Sequence, residues 1–386
     1  MSSRFDTILE WMLYSLVSLI PFTIAGTNII SGLIFLVWIT RLIVTRDISF
    51  AKEKFSKLLL LLASYILLSS IWAYKPISVF DEFIGHVLPF LVIFFVIITV
   101  IKNERQIRNI TLIFLISNLV NSLVSLYLST MTCRVQGFTH SPNRLADLLI
   151  MFIILCFSIV LFEKNTKWKL VGLIGLVPGL GGIIVTYSRG GWISLLGGLF
   201  AIALLRSKKV LILLIIIGLT IPLFVPELVQ NRIKSVTDLE HSSNKARILI
   251  WKAGINMVQD HPILGAGFFN VKHIYERYKL HSSDTVYVQL HNIYLNVLAE
   301  LGIIGFLIFL SLIAYMGKIT FGLLKKQKTS IIIAFIGISI AMLLHGLVDF
   351  TIRSIQVGIS FTYFTAIIYT IYRHSLFLNK QEVLSR

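Results

Sequence analysis

The stretches NKARILIWKAGINMVQDHPILGAG (Asn244–Gly267) and VQLHNIYLNVLAELGIIGF (Val288–Phe306) belong to a long polar insert in an otherwise apolar chain. The insert covers about residues 226–301, and apolar runs flank it on both sides. Long loops that carry ionisable groups on a helical scaffold are where function usually resides. We therefore expect the insert to form the lid and half of an active site, with Arg247 near its middle and His291 at its exit.

Outside the insert, the composition is that of a membrane protein. Of the 386 residues, 56% are hydrophobic and 14% are charged, and the mean hydropathy is +0.86. A soluble domain could not bury so much apolar surface. Because a membrane-spanning helix needs about 20 apolar residues, we predict one all-α polytopic membrane domain over residues 1–386, with an extracytoplasmic loop at 226–289 between helices nine and ten. About twelve spanning helices are expected, near 9–25, 28–45, 58–73, 84–101, 108–129, 143–162, 169–187, 190–205, 209–225, 290–316, 329–348 and 355–373.

The basic residues predict how these helices are oriented. Most of the 35 lysines and arginines fall in the short loops of one side, and cytoplasmic loops are the ones enriched in these residues. Both termini are therefore expected on the cytoplasmic side of the membrane, with the long loop on the outer side. This asymmetry accounts for most of the net charge of +17, so a nucleic-acid partner is not needed.

This topology collects the candidate site residues at the outer face. Arginines at the bilayer centre are costly, but arginines at helix corners avoid most of that cost. Each one could simply extend to lipid headgroups; several beside a histidine favour an anion-binding site. The candidates are Arg134, Asn143, Arg144, Arg189, Arg247, His291, Asp349 and Arg353.

Two arginines lie in patterns of their own. Arg189 belongs to TYSRGGW (Thr186–Trp192), where the two glycines would let an anionic ligand approach backbone amides, although a Gly-Gly pair is also common in simple turns. Arg247 opens a segment, 246–258, with apolar residues at helical spacing. We expect that segment to be a helix along the membrane surface that presents Arg247 to the site.

His291 directly precedes a helical run. The partial positive charge of a helix N-terminus disfavours an imidazolium, and a neutral imidazole can act as a general base; a capping or interfacial histidine is the structural alternative. His345 and Asp349 are four residues apart and would share a helix face. They could pair with each other, or Asp349 could orient an arginine such as Arg353.

The sequence gives no sign of a cofactor or a metal site. Cys133 and Cys156 show no metal-binding spacing, and their placement argues against a disulfide. No cofactor is therefore expected, and positive side chains would have to stabilise any developing negative charge.

In its ordered motifs the chain resembles the O-antigen ligase family, the WaaL or Wzy C-terminal family of bacterial envelope glycosyltransferases. Besides TYSRGGW and the two stretches quoted above, RVQGFTHSPNRLA (Arg134–Ala146) is similar to a family element. The resemblance implies transfer of a glycan from undecaprenyl pyrophosphate to a sugar hydroxyl, without a metal and with inversion. It also implies His291 as the general base and Arg189 and Arg247 as the residues that bind the pyrophosphate.

The motifs leave the acceptor open. An O-antigen ligase transfers to lipid A–core, which is the reading that we favour, whereas an O-antigen or capsule polymerase transfers to another lipid-linked glycan. A glycolipid transporter or flippase is the alternative from another class, but it should carry charged or broken helices near the midplane. A structural scaffold would leave the arginines and the histidine unexplained.

Overall fold

The computed structural model describes residues 2–236, 238, 240–280 and 287–384, and the secondary structure in these ranges is helical throughout. In chain order the helices are α1 (Ser2–Leu19), α2 (Ile24–Thr45), α3 (Lys54–Leu68), α4 (Pro76–Glu82), α5 (Leu88–Val100), α6 (Glu104–Leu128), α7 (Pro142–Phe162), α8 (Thr166–Ile184), α9 (Arg189–Arg206), α10 (Lys208–Phe224), α11 (Glu227–Lys234), α12 (Ser242–Asp260), α13 (Val271–Tyr278), α14 (Ile293–Lys326), α15 (Ser330–His345) and α16 (Ile355–Leu384).

The predicted fold class, an all-α polytopic membrane protein, is confirmed. Each of the twelve segments predicted to span the membrane is helical, and among the described residues nine helices are long and apolar enough to cross a bilayer. The helices α10 and α15 fall just short in length, with 17 and 16 residues. One of the nine spans, Pro76–Val100, combines α4 and α5 through a single π-helical turn at Phe83–Val87.

The most deeply buried of the nine spans is α7, which packs against α8, α9 and α15. Close packing with α8 depends on a row of small residues, because a Cβ added to Gly175 would lie 2.7 Å from the Cys156 sulfur. A Cβ on Gly179 would lie 2.8 Å from Ile153. In a membrane, where lipid is as apolar as leucine, such close approach replaces the hydrophobic effect as a source of helix association. The row consists of Gly172, Gly175, Gly179 and Gly182.

The long helix α14 is broken near its start, where Gly302 has φ 62° and ψ −169°. The break leaves backbone groups without helical partners, and the segment that follows α12 bonds to them. The Ile303 N–H donates to the Pro262 carbonyl at 2.9 Å, and the Ala266 N–H donates to the Ala299 carbonyl at 2.9 Å. The two stretches that open the sequence analysis therefore meet here as paired backbone.

Glycine is required on both sides of this contact. A Cβ on Gly265 would lie 2.4 Å from the Glu300 backbone, and one on Gly302 would lie 2.2 Å from the Ile263 carbonyl oxygen. Both glycines also have a positive φ, which favours glycine. The polar insert is thereby fixed to the bundle, and residues 291–301 are held at the end of the bundle where the candidate site lies.

Candidate active site

Four helices begin in the same way. In α7, α9, α13 and α14, the residue two positions before the helix start is left-handed, although it is not glycine. A serine or asparagine at the N-cap position follows it. Non-glycine residues in this region are strained, and such strain concentrates at functional sites. The four residues and their φ angles are His140 (54°), Tyr187 (51°), Phe269 (59°) and His291 (47°).

His291 lies against a buried carboxylate. Its Nδ1 is 3.0 Å from Asp349 Oδ1, and the other carboxylate oxygen accepts a hydrogen bond from the Asn143 amide. The Ser188 hydroxyl in turn donates to Asn143 Oδ1 at 2.8 Å. Because a carboxylate can only accept, Nδ1 carries the proton and Nε2 of the neutral ring is left to accept one. The side chain of His291 is 31% exposed, against 4% for Asp349, so the imidazole is the member of the pair that a substrate can reach.

Asp349 is held in its charged form. Burial by itself raises the pKa of this carboxyl. The hydrogen bond and charge of His291, the charge of His345 and the Phe350 amide lower the pKa by more than burial raises it, so the net pKa is well below the ordinary value. A buried carboxylate that stays ionised fixes the orientation of the imidazole bonded to it.

Arg189 is anchored by the polar insert. One guanidinium nitrogen donates to the carbonyl and the hydroxyl of Ser235, and the other donates to Ser243 Oγ at 2.6 Å and to Asn244 Oδ1 at 2.8 Å. Because Arg189 opens α9 while Ser243 and Asn244 lie in the first turn of α12, this side chain connects the two helix N-termini.

Two further arginines bind the backbone just before α9. Arg134 Nε donates to the Thr186 carbonyl at 3.3 Å, and Arg232 Nε donates to the Tyr187 carbonyl at 3.1 Å. Arg232 was not among the residues predicted from the sequence. The available signal was its place on α11, a short amphipathic helix inside the insert.

Arg134, Arg189, Arg232 and Arg247 act on one another electrostatically, and we call them the arginine cluster. Burial lowers the pKa of Arg232 to about 10, with smaller contributions from the charges of Arg189, Arg134 and Arg247. Burial and Arg247 likewise lower the pKa of Arg134. Among the described residues, Asp238 is the carboxylate whose charge acts on Arg189. The cluster therefore carries an excess of positive charge.

Arg247 is the least committed member of the cluster. The predicted helix around it is confirmed and extends further, over Ser242–Asp260. Its apolar face packs into a small core of its own through Ile250, Ala253 and Met257. Within the described part of the chain, Arg247 donates no hydrogen bond and forms no ion pair, so its guanidinium is free to bind a ligand.

The glycines of TYSRGGW are needed for close packing. The Gly191 amide donates to the Ser188 hydroxyl at 3.3 Å, and Gly191 itself is buried. A Cβ on Gly190 would lie 2.7 Å from the Val348 side chain. The pair therefore permits α9 to approach the turn that carries Asp349, and the approach of an anion to the Gly190 amide stays a prediction.

His345 and Asp349 do not pair with each other, and Asp349 does not orient Arg353. Instead, His345 Nδ1 lies 2.6 Å from Asp147 Oδ1. Arg353 donates three hydrogen bonds to Glu300, at 3.1, 3.2 and 3.3 Å, and its guanidinium stacks 3.4 Å from the centroid of the Phe269 ring. The four-residue spacing predicted a shared helix face, but α15 ends at His345 and Asp349 lies beyond it.

The remaining candidate, Arg144, lies next to Asn143 in the first turn of α7 and is half-buried. It forms no hydrogen bond or ion pair with the residues that the structure describes. No cluster of three or more His, Cys, Asp or Glu that could hold a metal ion occurs among those residues, and Cys133 and Cys156 are free thiols.

An apolar cavity of about 790 Å³ opens beside the His291–Asp349 pair, which we call the dyad. Its walls come from α3, α5, α14, α15 and α16. Asp349, Arg353 and His86 line one end, and Lys318 lines the other. Neither His291 nor any member of the arginine cluster contacts it. The cavity therefore follows α14 through the apolar part of the bundle and reaches the underside of the site.

Residues 174–310 match the family model described as O-antigen ligase. This segment is about a third of the chain, and it contains Arg189, Arg247 and His291. No curated protein matches the chain. This segment is therefore similar to the O-antigen ligase family, and the apolar helices around it are those of a multi-pass membrane protein.

Proposed function

We propose that this enzyme transfers a glycan from undecaprenyl pyrophosphate to a sugar hydroxyl, with His291 as general base. The observation that carries the proposal is one arrangement: a half-exposed imidazole bonded to a buried carboxylate, beside an arginine cluster with excess positive charge. Such a pair can accept a proton from a hydroxyl, and such a cluster suits a pyrophosphate. The match of the segment to the O-antigen ligase family supports the same reaction.

In this mechanism Nε2 of His291 takes the proton of the acceptor hydroxyl. The oxygen attacks the anomeric carbon of the donor sugar as the bond from that carbon to the pyrophosphate oxygen breaks, so the configuration inverts. The charge that moves onto the pyrophosphate is stabilised by arginines already in position. Asp349 keeps the proton on Nδ1 and stabilises the imidazolium that forms.

Within the cluster we assign the pyrophosphate to Arg189 and Arg247, with direct contact through Arg247. Arg189 acts on it by charge, because its terminal nitrogens already donate to Ser235, Ser243 and Asn244. The uncommitted guanidinium of Arg247 supports its role, because a planar fork with free donors matches phosphate oxygens in pairs. Arg134 and Arg232 each donate one hydrogen bond to the backbone before α9, and one terminal nitrogen of Arg232 also lies 3.5 Å from His241 Nε2. Their other terminal nitrogens are left for charge stabilisation. Arg144 stays a candidate for acceptor contact, whereas the bonds of Arg353 to Glu300 favour a structural role.

The apolar cavity of about 790 Å³ is where we place the polyprenyl chain of the donor. Ligand pockets typically measure about 300–1,000 Å³ and are lined mainly by apolar side chains, as this cavity is. Its walls lie within the apolar part of the bundle, and one end reaches Asp349. A chain there would leave the pyrophosphate at the level of the dyad.

The acceptor that we favour is lipid A–core, which makes the enzyme an O-antigen ligase acting at the periplasmic face of the inner membrane. A polymerase that uses a second lipid-linked glycan as acceptor has the same chemistry. The polar insert 226–289 is, in this proposal, the extracytoplasmic part of a single membrane domain. No cofactor is assigned, and pyrophosphate stabilisation is assigned to arginine.

The direct test is glycan transfer by the purified protein in detergent, supplied with lipid-linked donor and either lipid A–core or a second lipid-linked glycan. We expect transfer without ATP and in the presence of EDTA, with lipid A–core as the preferred acceptor. Preference for the lipid-linked glycan would favour the polymerase. Activity that disappears with EDTA and returns with one divalent ion would contradict the assignment of pyrophosphate stabilisation to the arginines.

A further inference from the structure

Two helix ends next to the dyad carry polar residues with matching spacing. On α7, Asn143 and Asp147 are four residues apart and share a face. At the end of α15, His345 and Asp349 are also four residues apart. The Asn143 amide donates to Asp349, and His345 Nδ1 lies 2.6 Å from Asp147. The two elements are therefore joined by two rungs, and we call the four residues the polar ladder.

The deeper rung is fully buried. The side chains of Asp147 and His345 are 0% and 2% exposed, amid apolar residues of α7 and α15. An ionisable pair in such a place has a large desolvation cost, which only good geometry and further hydrogen bonds offset. The Thr351 hydroxyl supplies one of these bonds to the second oxygen of Asp147. Nothing in the proposed chemistry uses this pair directly.

The position of Asp349 depends on this ladder. Because Asp349 lies beyond the end of α15, the helix does not hold it by itself; its N–H donates to the His345 carbonyl at 2.9 Å. The deeper rung, Asp147–His345, thus holds His345, to which the Asp349 backbone bonds. Through the bond of Thr351 to Asp147, it also holds the chain just after Asp349. The upper rung then orients the carboxylate.

We propose that Asp147 and His345 are positioning residues that hold Asp349, and through it His291, in the geometry for proton transfer. The inference rests on the proposed function in taking His291 as the base. A helix pair that needed only to pack could use apolar residues at both positions, often with equal or greater stability. The buried pair is retained because it sets the register of α15 against α7 at the dyad.

Substitutions at Asp147 separate hydrogen bonding from charge. Asp147→Leu removes the acceptor of both His345 and Thr351, whereas Asp147→Asn keeps an acceptor for His345 and offers an amide to Thr351. At metal sites, loss of a partner that orients a ligand histidine costs about 10–100-fold in affinity or activity, and we take that range as the scale for a positioning residue. We expect Asp147→Leu to lower kcat by about that factor with the donor KM unchanged, and Asp147→Asn to restore most of it. Thr351→Val, which removes one bond of the rung, should lower kcat by less.

A spectroscopic measurement tests the same inference without the reaction. In protein labelled with ¹⁵N-histidine, the Nδ1 proton of His291 should give a downfield signal, assigned by its absence in His291→Gln. That signal should shift or broaden in Asp147→Leu and return in Asp147→Asn. The matched control is Asp6→Asn, which breaks the ion pairs of Asp6 with Arg41 and Lys102 at the other end of the bundle and should leave the signal and kcat unchanged.

The two measurements separate failure of this inference from failure of the proposed function. An unaltered His291 signal and kcat in folded Asp147→Leu or Thr351→Val would overturn the positioning role. If Asp147→Leu lowered kcat and donor affinity equally, the positioning role would also be overturned, because the Asp147–His345 pair would then support the donor site as well as the dyad. If the signal responds as expected but His291→Gln transfers glycan normally, the ladder stands and the assignment of His291 as base is wrong.

Discussion

The arginine cluster and the polar ladder lie at the same end of the bundle, yet they balance charge in opposite ways. In the ladder each charged group has a partner within hydrogen-bonding distance: Asp147 pairs with His345, and Asp349 pairs with His291 of the dyad. In the cluster, the charges of neighbouring arginines add to burial in lowering the pKa of Arg134 and Arg232, and Asp238 is the carboxylate that acts on Arg189 among the described residues. Side chains that are already paired hold a geometry, whereas unbalanced positive charge is available to an anion.

This contrast assigns different consequences to substitutions on the two sides. A change in the ladder should affect the catalytic step or stability while donor affinity stays the same. A change in the cluster should affect donor affinity as well, because the pyrophosphate is charged before the reaction begins.

The largest effect is expected at His291. Because general-base assistance is typically worth about 10²–10⁴-fold, His291→Ala should lower kcat by a factor in that range and leave binding of the lipid-linked donor intact. Initial rates and donor binding would be measured on the same purified variant. His273→Ala is the matched control, since His273 lies in the same insert and bonds to Ser78. Near-normal turnover in His291→Ala would show that another group is the base.

The cluster should respond differently. Loss of one preorganised charge-stabilising donor costs about 10²–10³-fold, so Arg189→Ala and Arg247→Ala should lower turnover by that factor and also weaken donor binding. Lysine at either position should restore activity only in part, since a point charge lacks the paired donors of arginine. Lys252→Ala, on the exposed side of α12, serves as the control. If the double variant Arg189→Ala/Arg247→Ala still bound donor normally, Arg134, Arg232 and Arg144 would be the next residues to test.

A third paired group, Arg353–Glu300, tests the contrast through stability. Removing one partner of a buried ion pair leaves an uncompensated charge and costs about 3–5 kcal/mol. Glu300→Gln should therefore lower the temperature of unfolding in detergent while the donor KM of the remaining folded enzyme is unchanged. Glu276→Gln, which removes an exposed pair with Lys279, should have little effect. If Glu300→Gln instead raised the donor KM and left the unfolding temperature normal, Arg353 would be assigned to the substrate site.

The sequence predicted the membrane fold well because spanning helices depend on length and apolarity, which are local properties. It also predicted the helix around Arg247, since Ile250, Ala253 and Met257 repeat at helical spacing. The partners of His345 and Arg353 could not be predicted. Asp147 is 198 residues from His345, and Glu300 is 53 residues from Arg353, so only the packing of α7, α14 and α15 brings them together.

The helix break at Gly302 could not be predicted from the sequence either. LGIIG in the sequence gives no sign that its backbone pairs with the segment around Pro262. Arg232 was missed because a single arginine in a polar insert resembles any solvated charge. Its burial beside Arg189 and Arg134 becomes visible only once α11 is placed against the start of α9.

The smallest expected effect concerns the acid stability that Asp349 provides. Its pKa in the folded chain lies below that of an unfolded aspartate, about 3.9. A group with a lowered folded pKa contributes stability that is fully present above the unfolded value and is lost as the pH falls toward the folded one. At neutral pH the wild type should be more stable than Asp349→Asn. On acidification from about pH 6 to pH 3, the unfolding temperature of the wild type should therefore fall by more than that of Asp349→Asn. If the unfolding temperatures of the two proteins fell by the same amount over this range, Asp349 would carry no net stabilising charge. Hydrogen bonds alone would then stabilise the ladder.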